Sequence, residues 1–286
     1  MKKLLALVTI ILLAFLYFQK EQTAKEERPG VGAKAAIVVD VETNKILFEM
    51  NSKESLPIAS MSKMMTQYIV LDAIKSGRIN WDTLYQPSVE VFQKTADPQM
   101  VTLGMSSSNT YSVQELFTAM TVLSANDAAI ALAEAVSGSE DAFVEVMNAK
   151  AEEFGLRSAH FVNATGLDEE ETNRASARDV AALAQLLIKD HPEVLDYSNM
   201  TDFTTRDGVV RWNTNIMLPG MPLAMNGIDG LKTGYTEGAG SCFASTGVFD
   251  GRRIVTVVMG AVEDRDESGP SRFDVTRQLI DEYVLK

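Results

Sequence analysis

Two stretches near the end of the chain, residues 240–249 and 253–262, are rich in β-branched and small apolar residues and are joined by Asp250-Gly251. Asp-Gly tolerates the backbone of a tight hairpin turn, so the pair predicts adjacent antiparallel strands. Cys242 falls inside the first of them and reads as packing. A second pair stands near the start: residues 35–41, a turn at Glu42-Thr43-Asn44, and residues 45–50 read as another hairpin. Between the two, from about 78 to 200, the pattern is helical. Ser112-Val113-Gln114-Glu115 forms a capping box, and Ser176-Ala177-Arg178-Asp179 caps another apolar run. Residues 139–154 place Phe143, Val146, Met147, Ala151 and Phe154 on one face and stop at Gly155, which is core patterning. Extended pieces return after about 200, where Val209-Val210-Arg211-Trp212 follows the turn Asp207-Gly208 and the sheet is expected to resume. A last amphipathic helix, 271–285, carries Phe273, Val275, Leu279, Ile280, Tyr283 and Val284, suited to covering a sheet face. The order is strands, helices, strands, helix, with no internal repeat.

Composition narrows the function. A chain of 286 residues, 46% hydrophobic, can bury a real core. Its net charge of −13 argues against a nucleic-acid partner, since phosphate binding needs a basic footprint. One cysteine and two histidines, His160 and His191, leave no material for a disulfide framework, a His-rich metal site or a Cys-His dyad. That points away from metal or cofactor chemistry.

The first 18 residues are Lys2-Lys3 followed by an unbroken apolar run from Leu4 to Phe18, and then a polar stretch. This is an export signal. Its 15 apolar residues fit a signal peptide better than a full membrane span, which takes about 20. Against cleavage, no small-x-small pair closes the run, and Gln22-Thr23-Ala24 has Gln where a small residue is wanted. Retention as an N-terminal anchor is therefore the expectation, with a cleaved leader and a secreted enzyme as the alternative. A lipoprotein anchor would need a cysteine nearby. Lys2 and Lys3 set the N-terminus inside the cell and the remainder outside. Residues 19–33 form a charged tether, and the folded part spans 34–286.

Three short motifs carry the chemistry. In Pro57-Ile58-Ala59-Ser60-Met61-Ser62-Lys63-Met64-Met65-Thr66, a hydroxyl and an amine stand one helical turn apart where an apolar run up to Gly77 begins. A serine nucleophile needs a base within hydrogen-bond reach, and a neutral lysine can be that base. Ser124-Ala125-Asn126 lies in the helical block, and Lys232-Thr233-Gly234 precedes the Cys242 strand. Each is weak alone; taken by itself, Ser124-Ala125-Asn126-Asp127 also reads as a helix N-cap. In this order they form the S-x-x-K, S-x-N, K-T-G constellation of penicillin-binding proteins and β-lactamases.

With these flanks, and with His160-Phe161-Val162-Asn163-Ala164-Thr165-Gly166-Leu167 and Asp229-Gly230-Leu231-Lys232-Thr233-Gly234-Tyr235-Thr236, the chain resembles the serine D-alanyl-D-alanine carboxypeptidases, the low-molecular-mass penicillin-binding proteins. The likeness covers about residues 33–286. It implies an α+β fold of the DD-peptidase/β-lactamase type: an antiparallel sheet flanked by N- and C-terminal helices, an inserted helical subdomain at about 78–200, and the site between them. It also implies a reaction, removal of the terminal D-Ala from peptidoglycan pentapeptide stems through an acyl-enzyme on Ser60, with β-lactams as covalent inhibitors.

In that reaction Lys63 takes the proton of Ser60. A free lysine titrates near 10.4, so action at neutral pH asks for a depression of about three units, or about 4 kcal/mol. A helix end supplies at most about 2 kcal/mol. Desolvation and a second positive charge must supply the rest, and Lys232 is the expected charge. Lys232 and Thr233 are also assigned the substrate carboxylate, and Gly234 is expected to leave room for substrate backbone along the strand edge. By resemblance, Ser124 relays the proton to the leaving amine, Asn126 donates to the substrate amide carbonyl, and the N–H groups of Ser60 and Tyr235 form the oxyanion hole. His160 is assigned a structural role. Two alternatives stay open. A β-lactamase of class A would add a Glu for deacylation, but Glu145-Val146-Met147-Asn148 and the acidic run 168–171 do not match its motif. A catalytically silent wall-binding protein would have no use for an intact Ser60 and Lys63. Many relatives continue into a β-rich domain and a membrane helix, and here Lys286 ends the sequence with neither.

Overall fold

The computed structural model describes residues 31–262 and 271–286. The expected leader and residues 19–30 of the tether lie outside the described residues. The first hairpin consists of β1 (Ala35–Asp40) and β2 (Lys45–Met50), with Ala36 opposite Met50 and Asp40 opposite Lys45. Asp40 closes its turn: Oδ1 accepts from the Thr43 N–H at 3.0 Å and the Thr43 hydroxyl at 2.7 Å, and Asn44 takes the positive φ. A short strand, β3 (Leu56–Pro57), leads into a single 3-10 turn, Ala59–Ser62, and then α1 (Lys63–Lys75). The helix predicted to hold both Ser60 and Lys63 therefore begins at Lys63, with Ser60 in the tighter turn ahead of it. Met64, Met65, Ile69 and Val70 of α1 are all at most 1% exposed, so this helix is central rather than amphipathic.

The helical block follows as β4 (Leu84–Tyr85), α2 (Val89–Lys94), β5 (Tyr111–Ser112), α3 (Val113–Val122), α4 (Asn126–Ser137) and α5 (Glu140–Glu153). After it come β6 (Arg174–Ala175), α6 (Ala177–Asp190) and α7 (Val194–Ser198). Ser112 and Ser176 cap their helix starts as the sequence predicts, and Ser139 does the same for α5; of the box expected at Ser112–Glu115 the serine half forms, while the Glu115 carboxylate pairs with Arg206. Ser112 accepts from the Glu115 N–H, Ser139 from Ala142 and Ser176 from Asp179, each at 3.1 Å. The two-residue strands pair as small ribbons, β3 with β6 and β4 with β5.

One expectation fails at residue 210. β7 (Asp202–Thr204) and β8 (Val210–Trp212) pair only with each other, and the main sheet does not resume there. Val210 and Trp212 are 48% and 62% exposed, so β8 has no buried face with which to enter a sheet covered on both sides. The sheet resumes with β9 (Ile228–Thr236), β10 (Gly240–Phe249) and β11 (Arg252–Ala261), and the described chain closes with α8 (Arg272–Tyr283).

The sheet order is β2-β1-β11-β10-β9, antiparallel throughout, so pairing of β1 with β11 joins the first hairpin to the last. Alternation gives it two apolar faces. Ile37, Val39, Val255 and Val257 share one core with α1 and α6. On the opposite side α8 is seated through aromatic pairs, Phe48 with Tyr283 and Phe243 with Phe273. Thus α6, although within the predicted helical block, belongs to the sheet's cover. A terminal helix ahead of β1 would lie outside the described residues. Among the described residues no helix is long and apolar enough to cross a membrane. β9 is an edge strand, and its free side meets the 3-10 turn that holds Ser60.

Candidate active site

Ser60 is held by a turn with no slack. Ala59 sits at φ +47°, a left-handed backbone that costs a non-glycine residue of order 1 kcal/mol, and the Ser62 hydroxyl donates to the Ala59 carbonyl at 2.8 Å. Two glycines permit the neighbours to close in. A Cβ on Gly166, itself at φ +82°, would stand 2.0 Å from the Ala59 carbonyl oxygen. A Cβ on Gly234 would meet Ala59 Cβ, Ile58 O and Ser60 N at 3.1 Å. The glycine of Lys232-Thr233-Gly234 thus makes room for the turn that carries Ser60, a reason additional to the substrate approach expected of it.

Lys63 is wholly buried. Its Nζ lies 2.9 Å from Ser60 Oγ, 2.8 Å from Asn126 Oδ1 and 2.6 Å from the Thr165 carbonyl oxygen. Burial pushes its pKa well below the usual lysine value, and the Lys232 charge pushes the same way; Glu140 and Asp127 oppose them. Lys232 is itself buried, its Nζ donating to the Thr233 carbonyl at 3.0 Å, and burial with the Arg272 charge brings it down to about 7. Asn126 starts α4, where its Nδ2 donates to the Val101 carbonyl at 3.2 Å, leaving Oδ1 toward Lys63. So the structure engages Asn126 with the lysine, where a donor to substrate was expected. Ser124, at φ +68°, is among the cleft-lining residues, and none of the three bonds of Lys63 Nζ goes to it.

The cleft has a volume of about 530 Å³. Ser60, Ser124, Asn126, Thr233, Gly234 and Tyr235 line it, and Lys232 does not. The cation on the wall is Arg272 instead, the first residue of α8, whose Nη1 donates to the Gly234 carbonyl at 2.8 Å. Thr233 and Thr214 share a hydroxyl–hydroxyl bond of 2.6 Å. Residues 97–101 form part of the rim, and Asp127 fastens the segment that follows it by accepting from the N–H groups of Leu103, Gly104 and Met105. Asp168 fastens another part, accepting from the Thr236 hydroxyl and the Gly238 N–H, both at 3.0 Å. His160 is exposed and meets Arg174 through its backbone, outside the cleft.

Sequence reasoning missed Arg272, Thr214 and Thr165. The last lies inside the 160–167 flank already singled out, and Arg272 carried only the signal of a cation just after the helix cap Ser271.

The model of the family described as D-alanyl-D-alanine carboxypeptidase matches residues 21–263. D-alanyl-D-alanine carboxypeptidase DacF of Bacillus subtilis is 33% identical over 98% of this chain and 70% of its own length. DacC of Escherichia coli is 34% identical over 95% of this chain, which spans 65% of that protein. Among solved structures, PBP3 from Streptococcus pneumoniae, described as a peptidoglycan synthesis regulatory factor, superimposes with a TM-score of 0.83 at 40% identity, over 87% of this chain and 70% of that one. Penicillin-binding protein D2 from Listeria monocytogenes, solved with cefotaxime bound, gives 0.76 at 34% identity over 87% and 96% of the two chains.

Proposed function

The chain belongs to the D-alanyl-D-alanine carboxypeptidases, the low-molecular-mass penicillin-binding proteins, and from that membership we propose that it removes the terminal D-Ala of peptidoglycan stem peptides through an acyl-enzyme on Ser60. The observation that carries this is the setting of Lys63. A neutral amine has two N–H donors and one lone pair. Asn126 Oδ1 and the Thr165 carbonyl can only accept, so they take both hydrogens, and the lone pair is left facing Ser60 Oγ at 2.9 Å. The neutral base is thus oriented by these two acceptors, and burial favours that neutral form.

In the reaction proposed, the Ser60 oxygen adds to the carbonyl between the two D-Ala residues while its proton passes to Lys63 Nζ. The backbone N–H groups of Ser60 and Tyr235 stabilise the oxyanion. On collapse the C–N bond breaks, and the proton returns from Lys63 by way of Ser124 to the leaving amine. Water then attacks the ester by the same route in reverse. The substrate carboxylate lies against Arg272 and the Thr233 hydroxyl, with Lys232 behind the wall supplying field to Lys63 rather than direct contact. The β-lactam complexes of the Listeria protein support covalent inhibition of this chain by the same attack. Residues 4–18 hold the enzyme to the outer face of the membrane; N-terminal sequencing that finds the run removed would replace the anchor with a secreted form.

Intact mass with and without penicillin, for the wild type and Ser60→Ala, followed by a D-Ala release assay, tests the whole reading. An adduct lost in Ser60→Ala together with D-Ala release is the expected result. Peptide binding without turnover would favour a silent wall-binding protein, and rapid loss of the penicilloyl adduct would favour a β-lactamase.

A further inference from the structure

One buried carboxylate near Lys63 has no part in the reaction as written. Glu140, the first residue of α5, is 2% exposed and is not among the residues lining the cleft. Its Oε1 accepts from the Ala164 N–H at 2.9 Å, and its Oε2 from Lys94 Nζ at 2.7 Å. Each bond leads toward the site. The Ala164 carbonyl accepts from the Thr66 hydroxyl of α1 at 2.8 Å, and the next carbonyl along, that of Thr165, holds Lys63 Nζ at 2.6 Å. Lys94 ends α2, just before the rim begins at Asp97. A single side chain therefore joins the cradle of the base to the wall of the cleft.

We propose that Glu140, countered by Lys94, is a positioning residue for Lys63: it fixes the loop that supplies the Thr165 carbonyl and sets part of the charge against which Lys63 stays neutral. The inference rests on the reading of Ser60 and Lys63 as nucleophile and base. Four elements bring charge to this region. Lys232 comes from β9, Asp127 and Glu134 from α4, Glu140 from α5, and Lys94 with its second partner Glu90, at 2.9 Å, from α2. Lys232 favours the neutral amine, while Glu140 and Asp127 favour the ammonium. Asp127 is already saturated by backbone N–H groups, whereas Glu140 has a side-chain counter-charge that reaches solvent, the Lys94 side chain being 35% exposed. The Glu140–Lys94 pair is the adjustable member of the set.

The pair can be taken apart without emptying its space. In Glu140→Gln the amide carbonyl still accepts from Ala164, but the negative charge is gone, so protonated Lys63 loses support. In Lys94→Met the bond to Ala164 stays and the charge on Glu140 is left uncompensated. The rate of Ser60 acylation by penicillin, followed by intact mass on the full-length protein from pH 5 to 10, should then show its acidic limb moving in opposite directions. We expect about half a unit or more downward in Glu140→Gln and a comparable shift upward in Lys94→Met. Glu140→Ala, which also cuts the bond to Ala164, should lose about tenfold or more in rate at the optimum, and Glu140→Gln should restore most of it. A limb that stays in place in both Glu140→Gln and Lys94→Met, with the wild type acylating normally, overturns the proposal alone. If Glu140→Ala does not fold, the two limb shifts still decide. A wild type that forms no Ser60 adduct overturns the catalytic reading as well, which keeps the two failures distinct.

Discussion

Lys63 can serve the proposed reaction only as a neutral amine, and only a side chain able to give up its proton can replace it. Lys63→Arg keeps length and charge but cannot deprotonate near neutral pH. We expect it to lower penicillin acylation by about 10³-fold, within the range of general-base effects, with Ser60 intact in the mass spectrum. Arg272 makes a different kind of prediction, because it is the cation on the cleft wall while Lys232 is buried behind it. Arg272→Met should cost about 10²-fold in kcat/KM for a peptide ending in a free carboxylate, an amount consistent with one lost charge-assisted bond. The same peptide with an amidated terminus should lose little. Equal losses on both substrates would mean that Arg272 acts only through its bond to the Gly234 carbonyl.

At the scale of elements, the site depends on how closely a few backbones approach. Gly166→Ala would place a methyl 2.0 Å from the Ala59 carbonyl oxygen at a φ of +82°, so the turn carrying Ser60 must move. Loss of about 10²-fold or more in acylation is expected, because a displacement of about 1 Å from a reactive geometry is enough for that. Asp127→Asn tests the rim. An amide nitrogen would face N–H donors now served by a carboxylate, at a cost of about 1–3 kcal/mol in denaturant unfolding. Its signature in activity is a raised KM. These dependencies also mark what the sequence could disclose. The hairpin turns, the helix caps and the Ser60–Lys63 spacing are local, and each is found where its pattern points. The need for a second charge followed from the energy of neutralising Lys63, and its assignment to Lys232 from the Lys232-Thr233-Gly234 motif. The nearness of Arg272 to Gly234 depends on α8 crossing the sheet, and that of Glu140 to Ala164 on two loops meeting; no local periodicity encodes either. β8 misled because Val210 and Trp212 alternate as a strand should, whereas its exclusion from the sheet is a matter of cover.

For the molecule as a whole, keeping two lysines buried and close to neutrality has a thermodynamic consequence. Lys232 titrates at about 7 in the folded protein and near 10.4 when unfolded. Below pH 7 it is protonated in both states, and the penalty for its buried charge is fully present. Between pH 7 and 10 the unfolded chain binds the proton and the folded chain does not, so stability rises with pH. Lys63, lowered in the same direction, adds to that rise. Lys94 and Lys150, raised by their carboxylate partners against the effect of partial burial, lose nothing until the unfolded lysines deprotonate above this window. Cys242 flattens the rise at its upper end. Burial lifts its thiol to about 11, so from about pH 8.5 the unfolded thiol ionises first and offsets the gain from one of the lysines. Unfolding free energy should therefore climb from pH 7 to about 8.5, by up to about 1.4 kcal/mol per pH unit for each lysine that is neutral only when folded. In Lys232→Met, which fills the same buried space without the charge, the slope should fall by about half and the stability at pH 7 should rise. A wild type with flat stability between pH 7 and 8.5 would mean that Lys232 stays charged in the fold, so that its charge goes on pressing Lys63 toward the neutral amine across that range.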